Sequence, residues 1–172
     1  MAAGIDASDI RQVPDNDEVF VDPDTDSCIV VELLDVNADV PLDQLALFHF
    51  QELAKENRAE AEVGSCVVLP DSAMPHLPPT PQAFKQTLFG QQKVAKFKEI
   101  AANLVNIYLA VVRLGPPHNT EILITLSAPV AIHPDSSSAG LTPLGGNTAL
   151  CEAVFGQLLA SFNVRDYSFL GG

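Results

Sequence analysis

Cysteine is scarce in this sequence, with three residues among 172. Cys28, Cys66 and Cys151 lie far apart and form no Cys-x-x-Cys pair, which argues against a disulfide framework and a zinc site. Each lies in an apolar run, so we expect three buried thiols in a reducing compartment. Apolar runs are all much shorter than the ~20 residues that span a bilayer, and the first nine residues lack the basic and apolar regions of a signal peptide. Direct membrane insertion and secretion are therefore not expected.

Basic residues are scarce in the first third of the chain. Residues 1–62 contain sixteen acidic and three basic residues, whereas residues 63–172 contain six of each, so the whole net charge of −13 lies at the front. Such a field repels nucleic acid and anionic membranes and favours encounter with basic partners. Nucleic-acid binding is therefore not expected.

The apolar pattern predicts an α+β fold, with a mostly antiparallel sheet of about six strands flanked by helices. Residues 41–58 and 147–162 have the 3.6-residue period of helices, and the second helix is predicted to bury one stripe, Leu150, Val154, Leu158 and Phe162. The sequence predicts strands at 18–21, 27–36, 62–70, 103–114 and 120–129, and a bent strand or a hairpin at 83–98. In the strand at 103–114, Val105, Ile107, Leu109 and Val111 share one face. Their short connections favour antiparallel pairing. A chain of this length suits one domain over residues 1–172.

Catalytic and cofactor motifs are missing from the sequence. It contains no G-x-S-x-G, no G-x-G-x-x-G after a strand and no G-x-x-x-x-G-K-[ST]. His49 and Glu52 stand three residues apart on the predicted helix, but a single such pair is no metal site. His49 lies on the apolar face and is interpreted as a core histidine. No set of residues therefore nominates an enzyme, although these residues alone do not exclude one, and we expect no cofactor and no metal.

Two acidic residues, Glu32 and Asp35, interrupt the apolar strand CIVVELLDV. Burying an unpaired carboxylate is costly, so both should emerge at a strand end or an exposed edge. Three residues apart on a regular strand, they would point to opposite faces unless the strand ends or bulges near Leu34. From these residues alone, solvation or pairing with a local Lys or Arg explains them as well as a docking surface does.

Five segments together resemble the Ran guanine nucleotide release factor family over nearly the whole chain: IDASDIRQVPDNDEVFV, IVVELLD, GQQKVAKFKE, VNIYLAVVRL and TEILITLSAP. The resemblance implies a PsbP-like α+β sandwich found in nucleus and cytoplasm. It implies a non-enzymatic protein that binds the small GTPase Ran, promotes loss of its guanine nucleotide and affects nuclear protein import. An acidic pair in the family's [DE]-L-L-[DE] segment contributes to Ran binding, and this motif falls on Glu32 and Asp35. The turn acids Asp15 and Glu18 lie in the first of these segments, IDASDIRQVPDNDEVFV, and are further candidates, with turn formation and capping as the alternative.

The resemblance also implies a second kind of partner. Some family members are implicated in moving ion channels to the cell surface, so an adaptor for a membrane channel protein is the alternative function. A ligand-binding enzyme of similar fold is a third. Family members usually carry an apolar strand containing Gly-Gly before the Ile-Asp segment, whereas only Met-Ala-Ala-Gly precedes it here. Without that strand, a neighbouring sheet edge would be exposed.

Overall fold

A computed structural model describes residues 5–6, 17–95 and 102–170. In these ranges seven strands form one sheet in which every neighbouring pair is antiparallel. The strands are β1 (Ile5–Asp6), β2 (Asp17–Val21), β3 (Cys28–Asp35), β4 (Glu60–Val68), β5 (Ala83–Ala95), β6 (Ala102–Leu114) and β7 (Thr120–Ala131). Their order across the sheet is β1-β2-β3-β7-β6-β5-β4. The predicted α+β antiparallel fold is confirmed, and β1 adds two residues to the six longer strands.

One helix packs on each face of this sheet. Helix α1 (Leu45–Glu56) covers one face and α2 (Thr148–Ser161) the other. Because side chains alternate along a strand, β6 supplies both cores. Its residues toward α1 are Val105, Ile107, Leu109 and Val111, and its residues toward α2 are Tyr108, Ala110 and Val112. None of the described helices is long and apolar enough to cross a membrane.

The two helices begin differently. Helix α1 follows a short 3-10 turn, Leu42–Gln44, that starts directly after Pro41. Helix α2 begins at Asn147, whose side chain accepts a hydrogen bond from the Leu150 amide at 3.1 Å, as an N-cap residue should. Proline and asparagine therefore mark the starts of both helical segments.

Burial of the three cysteines differs from the prediction. Cys151 is fully buried on α2, Cys28 is half-buried and Cys66 is exposed. Cys66 lies on β4, which is the outermost strand of the sheet and is exposed along all nine of its residues. The expectation of three buried thiols is therefore wrong for Cys66, because the apolar run that contains it forms an edge.

A buried lysine anchors the proline-rich loop between β4 and β5. The Lys85 ammonium donates to the Asp71 carboxylate at 2.8 Å and to the Pro78 carbonyl at 2.8 Å. Met74 and Leu77 of the same loop pack in the core beneath α2. This ion pair therefore fixes a loop on the α2 side of the sheet.

Candidate functional site

An open groove of about 280 Å³ lies between the end of β3 and α1. We call it the acidic groove, because five of its eleven lining residues are carboxylic acids. The lining residues are Glu32, Leu34, Asp35, Asn37, Phe48, His49, Glu52, Leu53, Glu56, Glu121 and Leu123. Among the described residues, no Lys or Arg lines it. The groove is therefore a concave, strongly negative surface with an apolar part.

The predicted acidic pair meets in this groove. Glu32 shares a strand face with Leu34, which packs against the core beneath α1. Asp35 is the last residue of β3 and is exposed, and the chain then turns, with the Val40 amide donating to the Asn37 carbonyl at 3.2 Å. The strand thus ends next to Leu34, which is the condition under which both carboxylates can line one site.

Glu32 also faces another acid. Residue 17 pairs with residue 32 across β2 and β3, so Asp17 lies directly opposite Glu32. Burial raises the pKa of the Glu32 carboxyl, and the charges of Asp17 and Glu56 raise it further against the opposing effect of His49. In the described part of the chain, neither Glu32 nor Asp35 forms an ion pair with Lys or Arg. Local pairing therefore does not explain them, and like charges opposite one another cost stability.

We expect Glu32→Gln to raise the free energy of unfolding by roughly 0.2–1 kcal/mol at about pH 7, because it removes one of two opposed charges. A raised carboxyl pKa means that the folded protein binds the proton more tightly than the unfolded chain does. Ionised Glu32 thus destabilises the fold at pH values above its folded-state pKa. This destabilisation vanishes below the pKa of Glu in the unfolded chain, about 4.3. Urea unfolding at about pH 7 and at about pH 3.5 checks this, and a gain that persists at the lower pH would contradict it.

A buried ion network lies beneath the groove. The Glu121 carboxylate accepts a hydrogen bond from His49 Nε2 at 2.6 Å and another from Arg113 Nε at 2.7 Å. Burial raises the pKa of Glu121, but the hydrogen bonds and charges of His49 and Arg113 outweigh this, and its pKa is lowered. The interpretation of His49 as a satisfied core histidine is confirmed by its burial and by this bond.

The other predicted site residues lie elsewhere. Glu18 is exposed and pairs in register with Val31, so it points to the α2 side of the sheet, away from Glu32. Asp15 lies outside the described residues. The groove adds three acids that the sequence did not nominate, Glu52, Glu56 and Glu121. Asp17, which was not nominated either, lies opposite Glu32 without lining the groove. Positions 49, 52 and 56 share one helical face, so the period could have indicated Glu52 and Glu56, whereas Asp17 and Glu121 depend on strand register.

Comparison with known proteins relates this chain to one family. Residues 2–129 match the family model described as Ran-interacting Mog1 protein, a range that includes every residue lining the groove. The chain is 39% identical over 137 residues to a Ran guanine nucleotide release factor of Danio rerio, covering 78% of this chain and 74% of that protein. It is 31% identical over 169 residues to a probable ran guanine nucleotide release factor of Dictyostelium discoideum, covering 95% and 86%. A Ran guanine nucleotide release factor of Homo sapiens is 32% identical over 169 residues, covering 97% and 87%.

Proposed function

This chain belongs to the Ran-interacting Mog1 family, and from that premise we propose that the acidic groove is its binding site for Ran. The protein is a Ran guanine nucleotide release factor, a regulatory binding protein in nuclear transport and not an enzyme. The observation that carries the site is the set of five carboxylates that line the groove, since no Lys or Arg is among the described lining residues. Such a set favours a basic surface on the partner.

The composition of the groove suits a lysine or arginine side chain of Ran. Its apolar part comes from Leu34, Leu53 and Leu123, against which the aliphatic stem of a basic residue can pack. The carboxylates around it provide charge-assisted hydrogen bonds for the cationic head. Phe48 adds an aromatic ring for a cation–π contact. The groove therefore offers an apolar surface for the stem of a Lys or Arg side chain of Ran and carboxylates for its charged head. We call such a side chain a basic anchor.

Nucleotide release follows from differential binding. The protein promotes release only if it binds nucleotide-free Ran better than nucleotide-bound Ran. Because the coupling is reciprocal, the nucleotide lowers the affinity of Ran for this protein by the same ratio as this protein lowers the affinity of Ran for the nucleotide. A stable interface buries on the order of 1,200–2,000 Å², so the groove is one part of a larger surface. Asp15 and Glu18 stay predicted contacts in that surface. Glu18 would be reached by a partner that wraps around the β1–β2 edge of the sheet.

We propose further that residues 1–172 form one Ran-binding domain that acts in the nucleus and the cytoplasm. The groove draws its lining from β3, the turn after it, α1 and β7, which lie between residues 28 and 131, while α2 covers the opposite face of the same sheet. A Ran-binding surface therefore needs nearly the whole fold. Its compartments follow from the family's part in nuclear transport.

Release of labelled guanine nucleotide from purified Ran tests the function. We expect the release rate to rise with factor concentration to a plateau, for at least one of GDP-loaded and GTP-loaded Ran. The acceleration should fall as NaCl rises from roughly 50 to 300 mM, because screening weakens attraction between exposed charges. Release at the spontaneous rate, together with no complex on size-exclusion chromatography, would overturn the proposal. Recovery of a channel protein without Ran in a parallel pull-down would favour the adaptor function instead.

A further inference from the structure

Glu121 is an unusual residue for its position. It lies on β7 and is 1% exposed, on a strand face whose next member toward α1 is the apolar Leu123. It stands in register between Leu34 of β3 and Arg113 of β6. A buried carboxylate is expensive to desolvate, so its presence calls for an explanation.

The partners of Glu121 connect it to one wall of the acidic groove through Arg113. The guanidinium of Arg113 donates from Nη1 to the Val40 carbonyl at 3.1 Å and from Nη2 to the Asn37 carbonyl at 2.9 Å. Both carbonyls belong to the turn that directly follows Asp35. Arg113 also forms an ion pair with Glu121 through Nη2 as well as Nε. The position of the turn that follows Asp35 therefore depends on the guanidinium that Glu121 holds.

The second wall is connected through His49. This residue lies on α1, one helical turn before Glu52 and two before Glu56, and all three line the groove. Its ring donates to the other oxygen of the same carboxylate, Glu121 Oε2. One buried carboxylate thus accepts from Arg113, which holds the turn after β3, with one oxygen and from His49 of the opposite helix with the other.

We propose that Glu121 is a positioning residue for Ran binding, holding the two acidic walls of the groove at the separation that a basic anchor requires. This inference rests on the groove being the Ran site. A buried ion network is often replaceable by apolar residues without loss of stability, so stability alone does not explain a carboxylate here. The orientation of Arg113 explains it, because a planar guanidinium held by a carboxylate keeps its remaining N–H donors in fixed directions.

Glu121→Gln tests this role, since the amide keeps the shape of the side chain and removes its charge. We expect an affinity for Ran weaker by roughly tenfold, measured far below the unfolding temperature of the variant. Amide hydrogen exchange in residues 37–40 should become faster, because Arg113 no longer fixes that turn. Arg113→Lys serves as a second variant: it keeps the positive charge beside Glu121, but a compact ammonium cannot span the carboxylate and both carbonyls. Like Glu121→Gln, Arg113→Lys should make amide exchange in residues 37–40 faster and Ran binding weaker.

Asp71→Asn is the matched control. It breaks another ion pair that includes a buried lysine, Lys85, but on the α2 side of the sheet. We expect it to lower the unfolding temperature while leaving Ran affinity and exchange in residues 37–40 unchanged. The inference would be overturned if Glu121→Gln and Arg113→Lys both fold and bind Ran with wild-type affinity. It would also be overturned if Asp71→Asn loses as much affinity for Ran as these two variants do. A different experiment tests whether the acidic groove is the Ran site at all. Normal Ran binding after charge reversal at Glu32 and Asp35 would show that it is not.

Discussion

Charge reversal at Glu32 and Asp35 together will abolish Ran binding and leave the fold intact. The two carboxylates lie on one side of the acidic groove, and the double change to lysine replaces two attractive charges by two repulsive ones. Truncating a central interface residue often costs 2 kcal/mol or more, so we expect at least a roughly hundredfold loss of affinity for the pair. Nucleotide release should return to its spontaneous rate at the same concentrations.

Thermal stability separates this outcome from misfolding. Asp35 is exposed, and Glu32 stands opposite Asp17, so a lysine at position 32 meets an opposite charge where the wild type has a like one. The unfolding temperature should therefore stay equal or rise slightly. Glu152→Lys is the matched control, because it reverses an exposed charge on α2, on the other face of the sheet. Equal Ran binding by the double variant and the wild type would remove the site assignment.

Removing the ring of Phe50 will lower both the stability of the fold and the affinity for Ran. Phe50 is 1% exposed on α1 and fills a notch in β5 at Gly90, where an added Cβ would stand 2.6 Å from the ring atom Cζ. Phe50→Ala leaves a cavity in a tightly packed site, and such truncations cost about 3–5 kcal/mol. Because α1 carries one wall of the groove, we expect Ran affinity to fall as well, even at about 10 °C where the variant stays folded.

Phe155→Ala provides the comparison for this prediction. Phe155 is 6% exposed on α2 and packs in the core of the opposite face, with its ring centroid 5.9 Å from that of Tyr108. Its truncation should cost about 3–5 kcal/mol as well, yet leave Ran affinity unchanged in the folded protein. Urea unfolding gives the two stabilities, and titration with Ran at low temperature gives the affinities. An affinity loss of the same size in both variants would show that α1 has no special part.

The faces of the central strands could be predicted from the sequence, whereas the buried stripe of α2 could not. Alternation assigned Val105, Ile107, Leu109 and Val111 to one face, and they lie there together. For α2, the pattern predicted a stripe of Leu150, Val154, Leu158 and Phe162, but the buried residues are Cys151, Phe155 and Leu159. This helix is apolar on more than one side, with Leu150 still 37% exposed. Periodicity cannot choose between adjacent apolar stripes, and packing on the sheet decides.

The site was predictable only where it depends on local sequence. Glu32 and Asp35 stand out because they interrupt an apolar strand, but their nomination as binding residues came from the family resemblance; the strand ends where they can share a groove. The opposition of Asp17 and Glu32 depends on the register between β2 and β3, and the contacts of Glu121 join residues 72 and 8 positions apart. Such pairings are set by the tertiary fold and leave no periodic trace in one sequence.

The position of β4 at the rim of the sheet has a consequence for handling the protein at high concentration. Its exposed residues include Val63, Val67 and Val68 and the acids Glu60 and Glu62. An exposed edge strand can pair with the edge strand of a second molecule. Repulsion between molecules of net charge −13 opposes this association. Concentrated salt and acid both weaken that repulsion. Stock solutions should therefore stay monodisperse longest at neutral pH and low ionic strength.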